Sequence, residues 1–268
     1  MSTQVPVITS TRVVGDSVVM LKRSLRHILR SPDTIITTAI TPIAMLLLFV
    51  YVFGGSIDTG DGAGAGGYGA YVTYLLPGIL LITIGSGVAY TSYRLFLDLQ
   101  SGIFERFHSM PIARSAVLWG HVLTSLVANM ISLALVVAVA LLMGFRSGAG
   151  VLAWLAVLGI LVLFTLALTW LAVSAGLAAK SADGAGGFAY PLLFLPFLSS
   201  AFVPTENMPG PLRWFAEHQP VTPIVNTLRN LCDEQPLGDD GWLAFAWLVG
   251  LLVVAFALAM RTYRRKVA

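Results

Sequence analysis

Charge is scarce in this chain. Only 11% of its 268 residues are Asp, Glu, Lys or Arg, against about 25% in an ordinary globular protein. Hydrophobic residues make up 57%, for a mean hydropathy of +0.83. Too few charges remain to solvate a surface of that size, which excludes a disordered or nucleic-acid-coating chain and points to a membrane protein of many crossings. Cysteine is nearly absent: Cys232 alone cannot close an intramolecular disulfide, and its neighbours supply no metal-ligand spacing. Lysine occurs only at Lys22, Lys180 and Lys266, none preceded by Gly, so no Walker-type phosphate loop is present. No cleavable signal peptide is expected, because more than thirty mostly polar residues precede the first long apolar run.

What the chain does have is six charge-free apolar runs: Thr34 to Gly54, Tyr71 to Thr91, Ser115 to Gly144, Leu152 to Ala179, Gly186 to Pro204 and Trp242 to Met260. A bilayer core of about 30 Å is crossed by about 20 helical residues. A charge at its centre costs at least about 2.5 kcal/mol, so runs free of charge over that length predict six transmembrane helices. The basic residues fall unevenly between them. On one side lie Arg12, Lys22, Arg23, Arg26, Arg30, Arg94, Arg106, Arg114, Lys180, Arg261, Arg264, Arg265 and Lys266; on the other lie Arg146, Arg213 and Arg229. With five acids on the first side and eight on the second, the net +3 divides into +8 and −5. Positive residues stay inside, which places both termini in the cytoplasm.

The segments between the runs carry further structure signals. Val18, Leu21, Leu25 and Ile28 recur at helical spacing, with Lys22, Arg26 and Arg30 on another face, which predicts a basic amphipathic helix at the membrane surface. The Gly-Ala-rich stretch from Ser56 to Ala70 reads as a flexible connector. Between the second and third runs, Leu99, Ile103, Phe104, Phe107 and Met110 alternate with polar residues until Pro111. This predicts a short amphipathic helix outside the bilayer, and its exposed aromatics beside Glu105-Arg106 suit a protein contact better than a plain connector. Pro42, Pro77, Pro191 and Pro196 predict kinks in the first, second and fifth spans. Thr222-Pro223 predicts a helix cap, followed by an apolar stripe of Ile224, Val225, Leu228 and Leu231 opposite Asn226, Arg229 and Asn230. Trp214 and Phe215 fall in a second short helix ending near Pro220, so two short outer helices are expected between the last two spans.

Groups for chemistry are missing from the runs. His121 and Asn129 are the strongest polar candidates, and His121 is read as snorkelling or bonding a neighbouring helix rather than relaying protons. No paired carboxylate, His-rich metal motif or nucleophile with a matching base is found. Any transport must then be powered through a partner.

Several motifs have a common source. They are Phe53-Gly54-Gly55; Leu76-Pro77-Gly78-Ile79; the loop from Asp98 to Arg114, with Gly102-Ile103, Glu105-Arg106-Phe107 and Met110-Pro111-Ile112-Ala113-Arg114; and Ser199 to Pro204 followed by Met208-Pro209 and Gln219-Pro220-Val221. In these the chain resembles the membrane subunit of ABC exporters of the type-2 permease family, in its daunorubicin-resistance-like branch. The resemblance implies an all-α integral membrane protein: a cytoplasmic N-terminal segment over 1–33, a six-helix transmembrane domain over 34–260 and a basic cytoplasmic tail over 261–268. It implies that Gly102, Ile103, Glu105, Arg106, Phe107 and Pro111 couple to a separate ATPase, with the helix of Lys22, Arg26 and Arg30 against the same region. Two ATPases, holding the ATP and Mg, would join two permeases, identical or related, in the bacterial cytoplasmic membrane; this chain itself would hold no cofactor and bind no nucleic acid.

Hydrophobic drugs, antibiotics or lipids moving outward would fit an apolar pathway, with Phe49, Phe53, Tyr74, Phe194 and Phe197 expected among its contacts. Two other classes stand beside this reading. One is a polytopic membrane enzyme or scaffold without transport, separated by whether the chain purifies with a Walker-motif ATPase. The other is an ion-driven carrier, separated by whether a proton gradient or ATP drives it.

Overall fold

The computed structural model describes residues 33–53, 67–101 and 114–267. Their elements, in chain order, are α1 (Asp33–Leu48), which widens into a π-helical turn over Phe49–Phe53; α2 (Gly67–Gln100); α3 (Arg114–Leu142); α4 (Val151–Ala178); α5 (Ala182–Gly187); α6 (Tyr190–Phe194), running into a 3-10 turn over Leu195–Leu198; a 3-10 turn over Thr205–Asn207; α7 (Gly210–His218); α8 (Val221–Cys232); and α9 (Gly238–Val267). No strand occurs among the described residues. The basic amphipathic helix expected around Lys22, Arg26 and Arg30, and the coupling segment with Gly102, Ile103, Glu105, Arg106, Phe107 and Pro111, lie outside the described residues.

Among the described residues, four helices are long and apolar enough to cross a membrane: Gly69–Gln100, Leu118–Leu142, Val151–Ala178 and Gly238–Lys266. They contain the second, third, fourth and sixth apolar runs. The first run folds as one helical path through Pro42, and its apolar stretch Thr38–Val52 is shorter than the other four. The fifth run departs from the expected single helix and is divided into α6, a 3-10 turn and a non-helical turn. Its residues give the reason. Pro191 opens α6, Pro196 opens the 3-10 turn, and each lacks the N–H that would carry an α-helix onward. Helix α9 also continues through Arg261, Arg264, Arg265 and Lys266, so the basic tail forms the helix's last turns.

Helix α2 is the centre of the bundle. Of its most apolar stretch 72% is buried, against 33%, 33% and 22% for the other three long helices. Its small residues allow the close approach of neighbours that lipid-embedded helices depend on. A Cβ on Gly176 of α4 would lie 2.8 Å from the Ser92 carbonyl oxygen, and one on Gly78 would lie 2.7 Å from Ala201 Cβ. Gly87 faces the Asn129 carboxamide of α3, leaving no room for any side chain.

Buried hydroxyls cross-link the same helices. Thr91 donates to Ser125 at 2.8 Å and Ser125 lies 3.4 Å from Thr169 Oγ1, while Asn129 donates to the Ser125 carbonyl of its own helix at 2.9 Å. Thr38 of α1 meets Ser132 of α3 at 3.1 Å. Such bonds contribute on the order of 0.6 kcal/mol each inside a membrane, so they set register more than they set stability. Trp170 of α4 fills the space towards the basic end. It is 2% exposed and meets Trp119 and Phe256 edge to face at 5.1 and 4.8 Å.

Candidate functional site

The helix ends sort by charge, as the sequence predicts. One end gathers Arg94, Lys180 and the arginines of α9; the other gathers Glu206, Glu217, Asp233, Glu234, Asp239 and Asp240. Each end holds a polar construction.

At the acidic end the chain turns sharply after the 3-10 segment. Ser199 donates to the Pro196 carbonyl at 2.6 Å and accepts from the Ala201 amide at 3.1 Å, so one hydroxyl closes the turn. The turn brings Ala201 against Gly78 of α2 and folds Phe202 back onto Phe197, their rings stacked 4.7 Å apart. Phe49 packs 4.9 Å from Phe202, and Phe194 lies 6.4 Å from Phe197. Three of the expected pathway residues, Phe49, Phe194 and Phe197, are therefore brought together. The cluster grades from closed to open, since Phe202 is 5% exposed and Phe194 is 63% exposed, with Tyr190 and Tyr51 open as well. Phe53 ends the π turn, and only its backbone is described.

Tyr74 does not join these rings. Its hydroxyl donates to the Ser200 carbonyl at 3.2 Å, and its ring supports the Arg229 guanidinium, 3.9 Å above the ring centre. Arg229 Nη2 donates to the carbonyls of Tyr74 and Ser200 at 3.2 and 3.1 Å. The Ser200 hydroxyl donates to Asn226, whose amide donates to Asp240 of α9 at 3.0 Å. Helices α7 and α8 thus form a cover bonded to α2, to the turn and to α9.

The two short helices match the expectation, but Thr222 is not the cap of α8. The helix starts at Val221 after Pro220, and the Thr222 hydroxyl donates instead to the Ala216 carbonyl of α7 at 2.6 Å. The apolar stripe is buried as expected at Ile224, Val225 and Leu228. Cys232, on the same face, is buried too, and burial pushes its thiol up to about 11, with Asp233 adding to the effect.

At the basic end, Asp98 Oδ2 of α2 lies 3.3 Å from His121 Nε2 of α3. The pair joins the two helices that flank residues 102–113. His121 thus bonds a neighbouring helix, as its sequence position suggests. Asn129 bonds within its own helix and packs on Gly87.

Sequence reasoning did not single out Phe202 or Gly78 as partners, nor the bonding role of Arg229. Arg229 left one signal: it directly follows the buried stripe residue Leu228 on a short helix between two spans.

A bundle of long apolar helices with most of its basic residues gathered at one end defines a helical, multi-pass membrane protein. More particularly, residues 17–232 match the ABC-2 type transporter family, and the chain belongs to it. It is 29% identical to the daunorubicin resistance ABC transporter permease protein DrrB1 of Streptomyces coeruleorubidus, over 94% of this chain and 87% of that one. It is 21% identical to the probable doxorubicin resistance ABC transporter permease protein DrrC of Mycobacterium tuberculosis, over 94% and 89%. The family resemblance read from the motifs is therefore correct.

Proposed function

We propose that this chain is the permease subunit of an ATP-driven exporter that carries hydrophobic or amphipathic compounds, such as drugs, antibiotics or lipids, out of the cytoplasm or inner leaflet. The observation that carries the reading is its likeness, over nearly its whole length, to permeases named for drug resistance. The absence of Asp, Glu, Lys and Arg from its six apolar runs supports it, because an ion-driven carrier would need a coupling group there.

In this reading the chain crosses the bacterial cytoplasmic membrane six times, with both termini inside. The first run crosses as α1 and its π turn, and the fifth crosses as the broken path from α5 to the Ser199 turn. Two ATPase subunits, holding ATP and Mg, engage the segment around Gly102, Ile103, Glu105, Arg106, Phe107 and Pro111, with the N-terminal helix of Lys22, Arg26 and Arg30 beside it. Helix α2, with 34 residues, is about 50 Å long and ends at that segment. A push there moves the whole helix, because the Asp98–His121 pair and the Thr91–Ser125–Thr169 bonds tie it to α3 and α4. Its far end carries Tyr74 and Gly78 under the cover of α7 and α8, so displacement of α2 opens the outer side. The rings of Phe49, Phe194 and Phe197 then offer an apolar wall to cargo, and a second permease, identical or related, supplies the opposite wall.

The test is export from proteoliposomes holding the chain with its ATPase, using daunorubicin and a fluorescent phospholipid as probes. Glu105→Ala and Phe107→Ala are expected to leave insertion intact and to lower ATP-driven export at least about tenfold, the range of a lost interface anchor. Export at the parental rate in both variants would remove the coupling role from this segment.

A further inference from the structure

The cover at the acidic end shares an apolar core with α2, and one side chain adds the polar link between them. Arg229, half-buried on α8, donates to carbonyls of two other elements, Tyr74 of α2 at 3.2 Å and Ser200 of the turn at 3.1 Å. It also lies over the Tyr74 ring at 3.9 Å. The same Ser200 carbonyl accepts the Tyr74 hydroxyl at 3.2 Å, so the guanidinium, the phenol and the turn form a closed triangle. Asn226, one turn earlier on α8, continues the chain from the Ser200 hydroxyl to Asp240 of α9.

We propose that Arg229 is a positioning residue that latches the cover formed by α7 and α8 over the far end of α2, and that release of this latch accompanies opening of the exit. The exit role rests on the export reading above; the latch itself does not.

Three features suit Arg229 to a reversible closure. The Tyr74 and Ser200 carbonyls that it grips can be satisfied by water when the guanidinium leaves. Arg229 is half-buried, and a long side chain can turn its head to water while its stem stays on apolar surface. Finally, the carbonyl and the ring it grips are both on α2, the helix that runs to the proposed coupling segment, so movement of α2 acts directly on the bonds.

The chain carries its own reporter. Its single cysteine, Cys232, lies one turn beyond Arg229, buried on the same face as Ile224 and Leu228. Lifting α8 exposes it. The experiment measures labelling of Cys232 by a polar maleimide in the full chain held in lipid nanodiscs, where both faces are open to reagent. Labelling then follows the fraction of time the cover is open. Arg229→Ala is expected to label on the order of a hundredfold faster than the parent, having lost two charge-assisted bonds and the ring contact. Arg229→Lys, which keeps the charge over the ring, should fall between the two. Tyr74→Phe, which deletes only the phenol bond, should label about fivefold faster and guards against misfolding of the alanine variant.

Parental labelling rates in Arg229→Ala and Tyr74→Phe would overturn the latch. If Arg229→Ala does not fold, a parental rate in Tyr74→Phe together with one in Arg229→Lys would do so. The assay contains no ATPase, so the two ideas fail separately. Faster labelling in a chain that no ATPase can drive would leave the latch standing without the exporter. ATP-driven export with unchanged labelling would remove the latch alone.

Discussion

Cys232 and Gly78 are the residues at which the far end of the molecule is most easily probed. The Cys232 thiol is raised from its ordinary 9.0 to about 11 by burial beside Ile224 and Leu228. The neutral thiol is therefore favoured by the fold, and this contribution is complete below about pH 9 and lost as the pH rises through about 11. Alkylation of the folded chain is accordingly expected to be slow at pH 8, compared with the same chain unfolded in denaturant, and to climb steeply only above pH 10. A folded chain that alkylates at pH 8 as fast as the unfolded one would show that the thiol is not buried. Gly78 tests packing. A side chain there meets Ala201 at 2.7 Å, so Gly78→Val should destabilise the fold by about 1–3 kcal/mol and lower its thermal transition. An unchanged transition would mean that the Ser199 turn does not seat on α2.

Among the elements, α2 and α3 form the unit whose rigidity matters. Their ends at the basic side are held by Asp98 and His121 at 3.3 Å, both partly open to water. Replacing either with Ala should leave insertion unaltered but weaken the link between ATP hydrolysis and export. The double variant should be no worse than the more affected single one, the mark of two residues acting through a shared contact. Additive losses would show that the residues act independently. Helices α2, α3, α4 and α9 were legible from residues alone, because a long charge-free run is a direct physical requirement of crossing lipid. The fifth run met the same composition rule yet folds in pieces. Composition counts apolar residues, whereas Pro191 and Pro196 act through the backbone bonds they remove. The candidate site was half legible for a related reason. The rings of Phe49, Phe194 and Phe197 could be named one by one, but their meeting with Phe202, and the grip of Arg229 on Tyr74, depend on a turn that packs against a glycine more than a hundred residues away in sequence.

For the whole molecule, scarcity of charge and gathering of charge are two sides of one design. Its six runs contain no Asp, Glu, Lys or Arg, while the basic residues collect where the sequence places the cytoplasm. The central proposal is that ATP hydrolysed on a partner, rather than an ion gradient, drives such a chain. The most direct measurement is uptake of daunorubicin and of a fluorescent phospholipid probe into inside-out proteoliposomes containing the chain and its ATPase. The account predicts uptake of at least one probe that requires ATP, the ATPase and an intact segment around Glu105 and Phe107, and that survives collapse of the proton gradient. Uptake by the chain alone, or uptake that stops when the gradient is dissipated while ATP remains, would contradict it.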